Sequence, residues 1–128
     1  MGRITFPLPP KTLRANRRSG VHWGAVQAAK TAYKAECELI IGSQKWGPLS
    51  DAVVPLAVVA YVGHGDRLPD LSDLGFWCKT CLDSLVQCGV FRDDSARWLR
   101  PFYADAERDN GNPRLEILWA DDARERMR

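Results

Sequence analysis

VVPLAVVAYVGHGDRLPDLSDLGFWCKTCLDSLV, residues 53–86, holds the two clearest structural signals in the chain. Val53 to Val62 is rich in β-branched residues and reads as a central strand. Gly63 to Pro69 reads as a loop, and a helix follows from Leu71 or Ser72 to Val86. Gly89 is a suitable stop, because glycine tolerates the left-handed conformation that closes many helices. At 100° per residue, Leu71, Leu74, Cys78, Cys81, Leu82 and Leu85 share one face of this helix. Asp73, Trp77 and Thr80 fall on the opposite face, with Asp70 near its edge.

Working outward, Ile4, Phe6 and Leu8 alternate, so residues 3–8 read as a short strand that ends at Pro9-Pro10. A basic loop with Lys11, Arg14, Asn16, Arg17 and Arg18 comes next. From His22 to about Ile41, apolar residues recur at helical spacing, with Lys30 and Lys34 near one another on the flank. Residues 97–104 and 114–120 read as strands, separated by the turn signal Asp109-Asn110-Gly111-Asn112. Residues 121–128, DDARERMR, read as a charged tail with no core face. The order β-α-β-α-β-β predicts an α+β fold over residues 1–120, a single domain in which a small mixed sheet packs with two helices.

A chain of 128 residues suits one domain, and 45% hydrophobic with 27% charged residues is ordinary for a globular protein. The apolar run 52–62 is broken by Pro55 and is about half the length a membrane helix needs. MGRITFPLPP has no apolar segment that would serve as a signal peptide, so a cytoplasmic location is expected. Cys37, Cys78, Cys81 and Cys88 are therefore read as reduced thiols. Cys78-x-x-Cys81 has zinc-compatible spacing, but it lies on the apolar face and no second paired ligand set accompanies it, so plain burial is the expectation. His22 and His64 are read as packing or loop residues.

The net charge of +2 conceals an asymmetry: residues 1–50 carry eight Lys or Arg against two Glu, and the remaining residues carry ten against fourteen acids. A basic part that holds phosphates and an acidic part that does chemistry is a division expected of a metal-dependent nuclease, although from charge alone a solvated basic face is the slightly better explanation. Asp70, Asp73, Asp83, Asp93 and Asp94 cluster around the helix and its exit with Lys79 among them. Helix capping, the helix dipole, a Lys79–Asp83 pair and an Asp93-Asp94 turn form the structural explanation of these residues. The dipole stabilises by at most about 1 kcal/mol per group, which accounts for one or two acids more readily than five. Carboxylates that converge in space need a cation between them, and Mg²⁺ takes oxygen ligands while keeping waters for a phosphate substrate.

The order Pro69-Asp70-x-x-Asp73-Leu74, Lys79, Asp83-x-Leu85, Gly89-Val90 and Asp93-Asp94-Ser95 resembles the signature of the RusA family of Holliday junction resolvases. The start of the chain agrees: Phe6-Pro7-Leu8-Pro9-Pro10, Asn16 and His22-Trp23 are similar to that family's strand, double proline and Asn-Arg-x-His-Trp segment. These matches span residues 4–119. Two departures stand out. Ser72 occupies the place of the motif's second acid and Asp73 the place of its asparagine. The interval from Asp70 to Lys79 is three residues longer than in the shorter family form and resembles a longer variant of phage and actinobacterial type, whereas a gapless match to the shorter form would place Asp73 first and Gly75 at the second acid.

What the resemblance implies is a homodimeric, Mg²⁺-dependent endonuclease, with Mn²⁺ as the alternative ion, that nicks four-way DNA junctions in paired, symmetric fashion during recombination and repair. Carried over by position, Asp70, Asp73, Lys79 and Asp94 are the candidate catalytic residues. Asp70, Asp73, Asp93 and Asp94 are the candidate metal ligands, with Asp73 standing in for the acid missing at Ser72. Arg14, Asn16, Arg17, Arg18, Lys30 and Lys34 are the candidate DNA contacts. Three alternatives stay open: a junction-binding relative that has lost cleavage, a nuclease for other branched DNAs, and a non-enzymatic interaction domain.

Overall fold

The computed structural model describes residues 2–14 and 23–128. It is an α+β domain with a four-stranded mixed sheet and three helices: β1 (Gly2–Phe6), α1 (Trp23–Gly42), β2 (Val54–Val62), α2 (Leu74–Gln87), β3 (Leu99–Arg108), β4 (Arg114–Trp119) and α3 (Ala120–Met127). Single 3₁₀ turns occur at Lys11–Leu13 and Leu71–Asp73. The strand order is β1-β4-β2-β3. β4 runs antiparallel to both neighbours, with Ile4 opposite Ile117 on one side and Val58 opposite Ile117 on the other.

β2 has the near-continuous apolar character of a strand covered on both faces. Leu56, Val58, Ala60 and Val62 point to the main core with Ile4, Phe6, Leu115 and Ile117, beneath α1 and α2. Ala57 and Val59 point the other way, to a smaller cluster with Leu118 and Ala123 of α3. Pro55 has no N–H for the ladder, and the β2–β3 register shifts between Val54 and Leu56, at this residue. α2 carries the chain from β2 to the parallel strand β3, a connection that parallel pairing requires. Gly89, at φ +82°, ends α2 as expected, and the Val90 amide closes the turn on the Leu85 carbonyl at 2.9 Å.

The turn signal at Asp109 separates β3 from β4 as read from the sequence, and the two strands do not pair, because β2 lies between them. Asp109 still builds the turn locally, accepting from the Gly111 amide at 3.2 Å and from Arg114 at 2.8 Å, and the Arg114 hydrogen bond holds its carboxyl below its ordinary range. The expected tail is helix α3 rather than a segment without a core face. Ala123 is fully buried, Asp122 accepts the Gly2 amide at 2.8 Å, and Arg126 pairs with Asp105 at 2.9 Å and with Glu107. The sheet therefore packs with three helices instead of two.

A second correction concerns α2, where Trp77 and Thr80 are buried although the helical wheel sets them opposite the apolar face. The wheel assumes one covering wall, whereas α2 meets α1 as well as the sheet. Cys37, Cys78 and Cys81 are buried free thiols, as expected, and Cys88 is exposed. The Tyr33 hydroxyl donates to the Pro7 carbonyl at 2.7 Å and lies 3.3 Å from Cys81 Sγ, which ties α1 to α2. Burial pushes the Cys78 thiol up to about 12, consistent with a packing role. No described helix is long and apolar enough to cross a membrane.

Candidate functional site

The acids expected at one centre lie in two depressions along α2. At its amino end, Asp70 precedes the Leu71–Asp73 turn, and the Asp73 amide donates to the Asp70 carbonyl at 2.9 Å. Neither carboxylate caps its helix through a side-chain hydrogen bond, so the capping explanation is not used here. Both line a hollow of about 330 Å³ with Lys11, Arg14, Asp66 and Trp77. Arg14 is largely committed within it. Its Nε donates to the Pro9 carbonyl at 2.7 Å, its guanidinium lies 5.0 Å from the Trp77 ring centre, and Asp66 is 3.6 Å away.

The second depression, about 300 Å³, runs along the carboxyl-terminal half of the helix and is lined by Lys30, Lys34, Asp83, Gln87, Asp93 and Asp94. Lys79 ties its acids together: Nζ lies 3.0 Å from Asp83 on the next turn and 3.8 Å from Asp94. The Asp83 hydrogen bond is the main cause that raises the Lys79 pKa, with the charges of Asp83 and Asp94 adding to it. The ammonium thus keeps its charge throughout the neutral range, and the pairing is lost only as pH rises through that raised value. Asp83→Asn is expected to bring the Lys79 titration back toward its ordinary position, read from the Lys79 side-chain shifts in an NMR pH titration. An unmoved titration would contradict the pair. Beyond Lys79, the Asp94 amide donates to Asp93 Oδ1 at 2.8 Å, a turn contact that occupies one oxygen of Asp93.

Asp73 and Asp83 are ten positions apart, roughly 15 Å along a helix axis. Mg²⁺ requires oxygens at about 2.0–2.1 Å in near-octahedral geometry, so one ion does not span these two groups. Among the described residues, no three His, Cys, Asp or Glu side chains are placed to hold a metal together. The expected ligand set of Asp70, Asp73, Asp93 and Asp94 therefore does not fit a resident Mg²⁺ site in this arrangement.

Of the expected DNA contacts, Lys30 and Lys34 border the second depression, Arg14 is turned to the first, and Asn16, Arg17 and Arg18 lie outside the described residues. Thr80, Gln87 and Asp66 also line the hollows without having been singled out. For Thr80 and Gln87 the available signal was their spacing from Asp83 and Asp73 on α2, which places all four along one side of the helix. No protein-family model matches this chain, and no curated protein matches it.

Proposed function

We propose that this chain is an endonuclease of the RusA type that acts on four-way DNA junctions as a homodimer. The reading is carried by Lys79, which meets Asp83 on its own helix and Asp94 from the acidic turn beside Lys30 and Lys34. These are the lysine, the D-x-L acid and the second acid of the DD pair in the resemblance: Lys79 and Asp83 share one helix, and Asp94 joins them from the acidic turn. In this arrangement Lys30 and Lys34 receive a backbone phosphate, and Lys79 orients Asp94 next to it. Asp94 then accepts a proton from a water whose oxygen attacks that phosphorus, while the bond from phosphorus to one strand oxygen breaks and the leaving oxygen takes a proton from solvent. A junction presents two equivalent strands, which a two-fold dimer engages symmetrically. Mg²⁺ belongs to the reading through the resemblance alone, and no step is assigned to it.

Competition between a labelled four-way junction and linear duplex tests the proposal at the level of binding. The junction is expected to be preferred. Replacing Lys30 and Lys34 by Ala should weaken binding to any sequence alike and reduce the salt dependence by about one unit of slope per lysine. Equal affinity for duplex, or an unchanged slope, counts against it. One observation favours a second reading, a junction-binding relative without cleavage: Ser72 replaces an acid, and among the described residues the remaining acids form no three-ligand group.

A further inference from the structure

Beside the acidic turn lies a separate cavity of about 270 Å³, between the segment after α1 and the segment leading into β3. Four aromatic residues, Trp46, Phe91, Trp98 and Trp119, stand among the residues that line it. Phe91 meets Trp119 edge to face at 5.1 Å, and Trp46 inclines toward the same ring at 5.7 Å. Trp98, only half-buried, carries two cations, with the Arg92 guanidinium 5.3 Å and the Arg97 guanidinium 5.5 Å from its ring centre. Arg92 is held in place by the Ser50 carbonyl at 3.0 Å and by Asp51. Ala120, which also lines the cavity, has φ +56°, a left-handed conformation uncommon for residues other than glycine and found preferentially at ligand sites. Asp93 borders both this cavity and the depression that holds Lys30 and Lys34, so the two are contiguous.

We infer that this cavity receives one unstacked base of a DNA strand whose phosphates lie against Arg92, Arg97 and the Lys30–Lys34 depression. Ligand pockets for drug-sized molecules occupy about 300–1,000 Å³, so this volume suits a single flat ring system rather than a larger ligand. Aromatic walls supply stacking faces that accept any base, and the guanidiniums at the rim supply charge for the adjoining phosphates. A flat ring joined to an adjoining phosphate uses both features together. The inference deepens the proposed function and rests on it, because stacking is interrupted at the branch point of an open junction, where a base is extruded more cheaply than from continuous duplex.

The test uses the intact chain and fluorescein-labelled short oligothymidylate, compared with an abasic strand of the same length. Oligothymidylate is expected to bind at least about tenfold more tightly, to quench tryptophan fluorescence more than the abasic strand does, and to resist displacement by thymidine monophosphate. Trp98→Ala should remove the preference for bases, whereas Trp98→Phe, which keeps a stacking face, should retain most of it. Trp98→Phe and the quenching comparison keep the inference testable if Trp98→Ala fails to fold. Equal binding of the two strands overturns the inference, as does a preference that survives in Trp98→Ala. Displacement by the free nucleotide as readily as by the strand also overturns it. A four-way junction measured in parallel separates the failures: junction binding without base preference sinks this inference alone, and absence of all DNA binding sinks the proposed function with it.

Discussion

Asp94→Asn is expected to lower junction cleavage by at least about 100-fold while leaving junction affinity within about twofold, the signature of a lost proton acceptor. The substitution keeps the shape of the side chain and removes its charge. Lys79 retains Asp83 at 3.0 Å, so the helix surface keeps its stronger pair. The Lys79–Asp94 contact is longer, at 3.8 Å, and its Lys79 side chain is 60% exposed, so folding should change by less than about 1 kcal/mol. Single-turnover cleavage and gel-shift titration of the same junction measure the two quantities. Undiminished cleavage would remove Asp94 from the site. Parallel loss of binding and cleavage would make its role one of attachment to DNA.

Ile117→Ala should cost about 2–5 kcal/mol, a large share of the roughly 5–15 kcal/mol that holds a typical domain together. Ile117 is fully buried in β4, paired with Ile4 on one side and Val58 on the other. Few packed neighbours can move to fill the space left by its truncation. Phe102, on the edge strand β3 and 54% exposed, is the internal comparison: Phe102→Ala should cost less than about 1 kcal/mol despite the larger side chain removed. Urea midpoints for the two variants check this. Similar costs, or the reverse order, would contradict the placement of β4 inside the sheet and β3 at its edge.

Local chemistry in the chain announces most elements but not their arrangement. The β-branched run of β2 and the glycine after α2 act within a few residues, and both are legible. Which strand pairs with which depends on contacts distant in sequence. The turn at Asp109 has sound hairpin chemistry and yet connects strands on opposite sides of β2. Helix α3 escapes periodicity because its attachment rests on Ala123, the partly buried Met127 and charged groups whose partners Asp105 and Glu107 are carried by β3. Trp77 escapes it because a helix covered on two sides has no single apolar stripe.

The candidate site divides in the same way. The Lys79–Asp83 pair follows from spacing on one helix. The approach of Asp94 to Lys79 crosses the exit from α2, and only the family resemblance pointed to it. The expected union of Asp70 and Asp73 with Asp94 is not realised, because a shared charge type does not determine which end of a helix each acid occupies. The aromatic cavity had no sequence signal, since Trp46, Phe91, Trp98 and Trp119 come from three separate parts of the chain.

Strand cleavage of a labelled synthetic four-way junction, with Mg²⁺ or with EDTA and against linear duplex, decides whether this chain is a junction nuclease. Paired nicks at the junction, with the duplex left intact, are the predicted result. Tight junction binding with no nick at any Mg²⁺ or Mn²⁺ concentration would contradict an active nuclease.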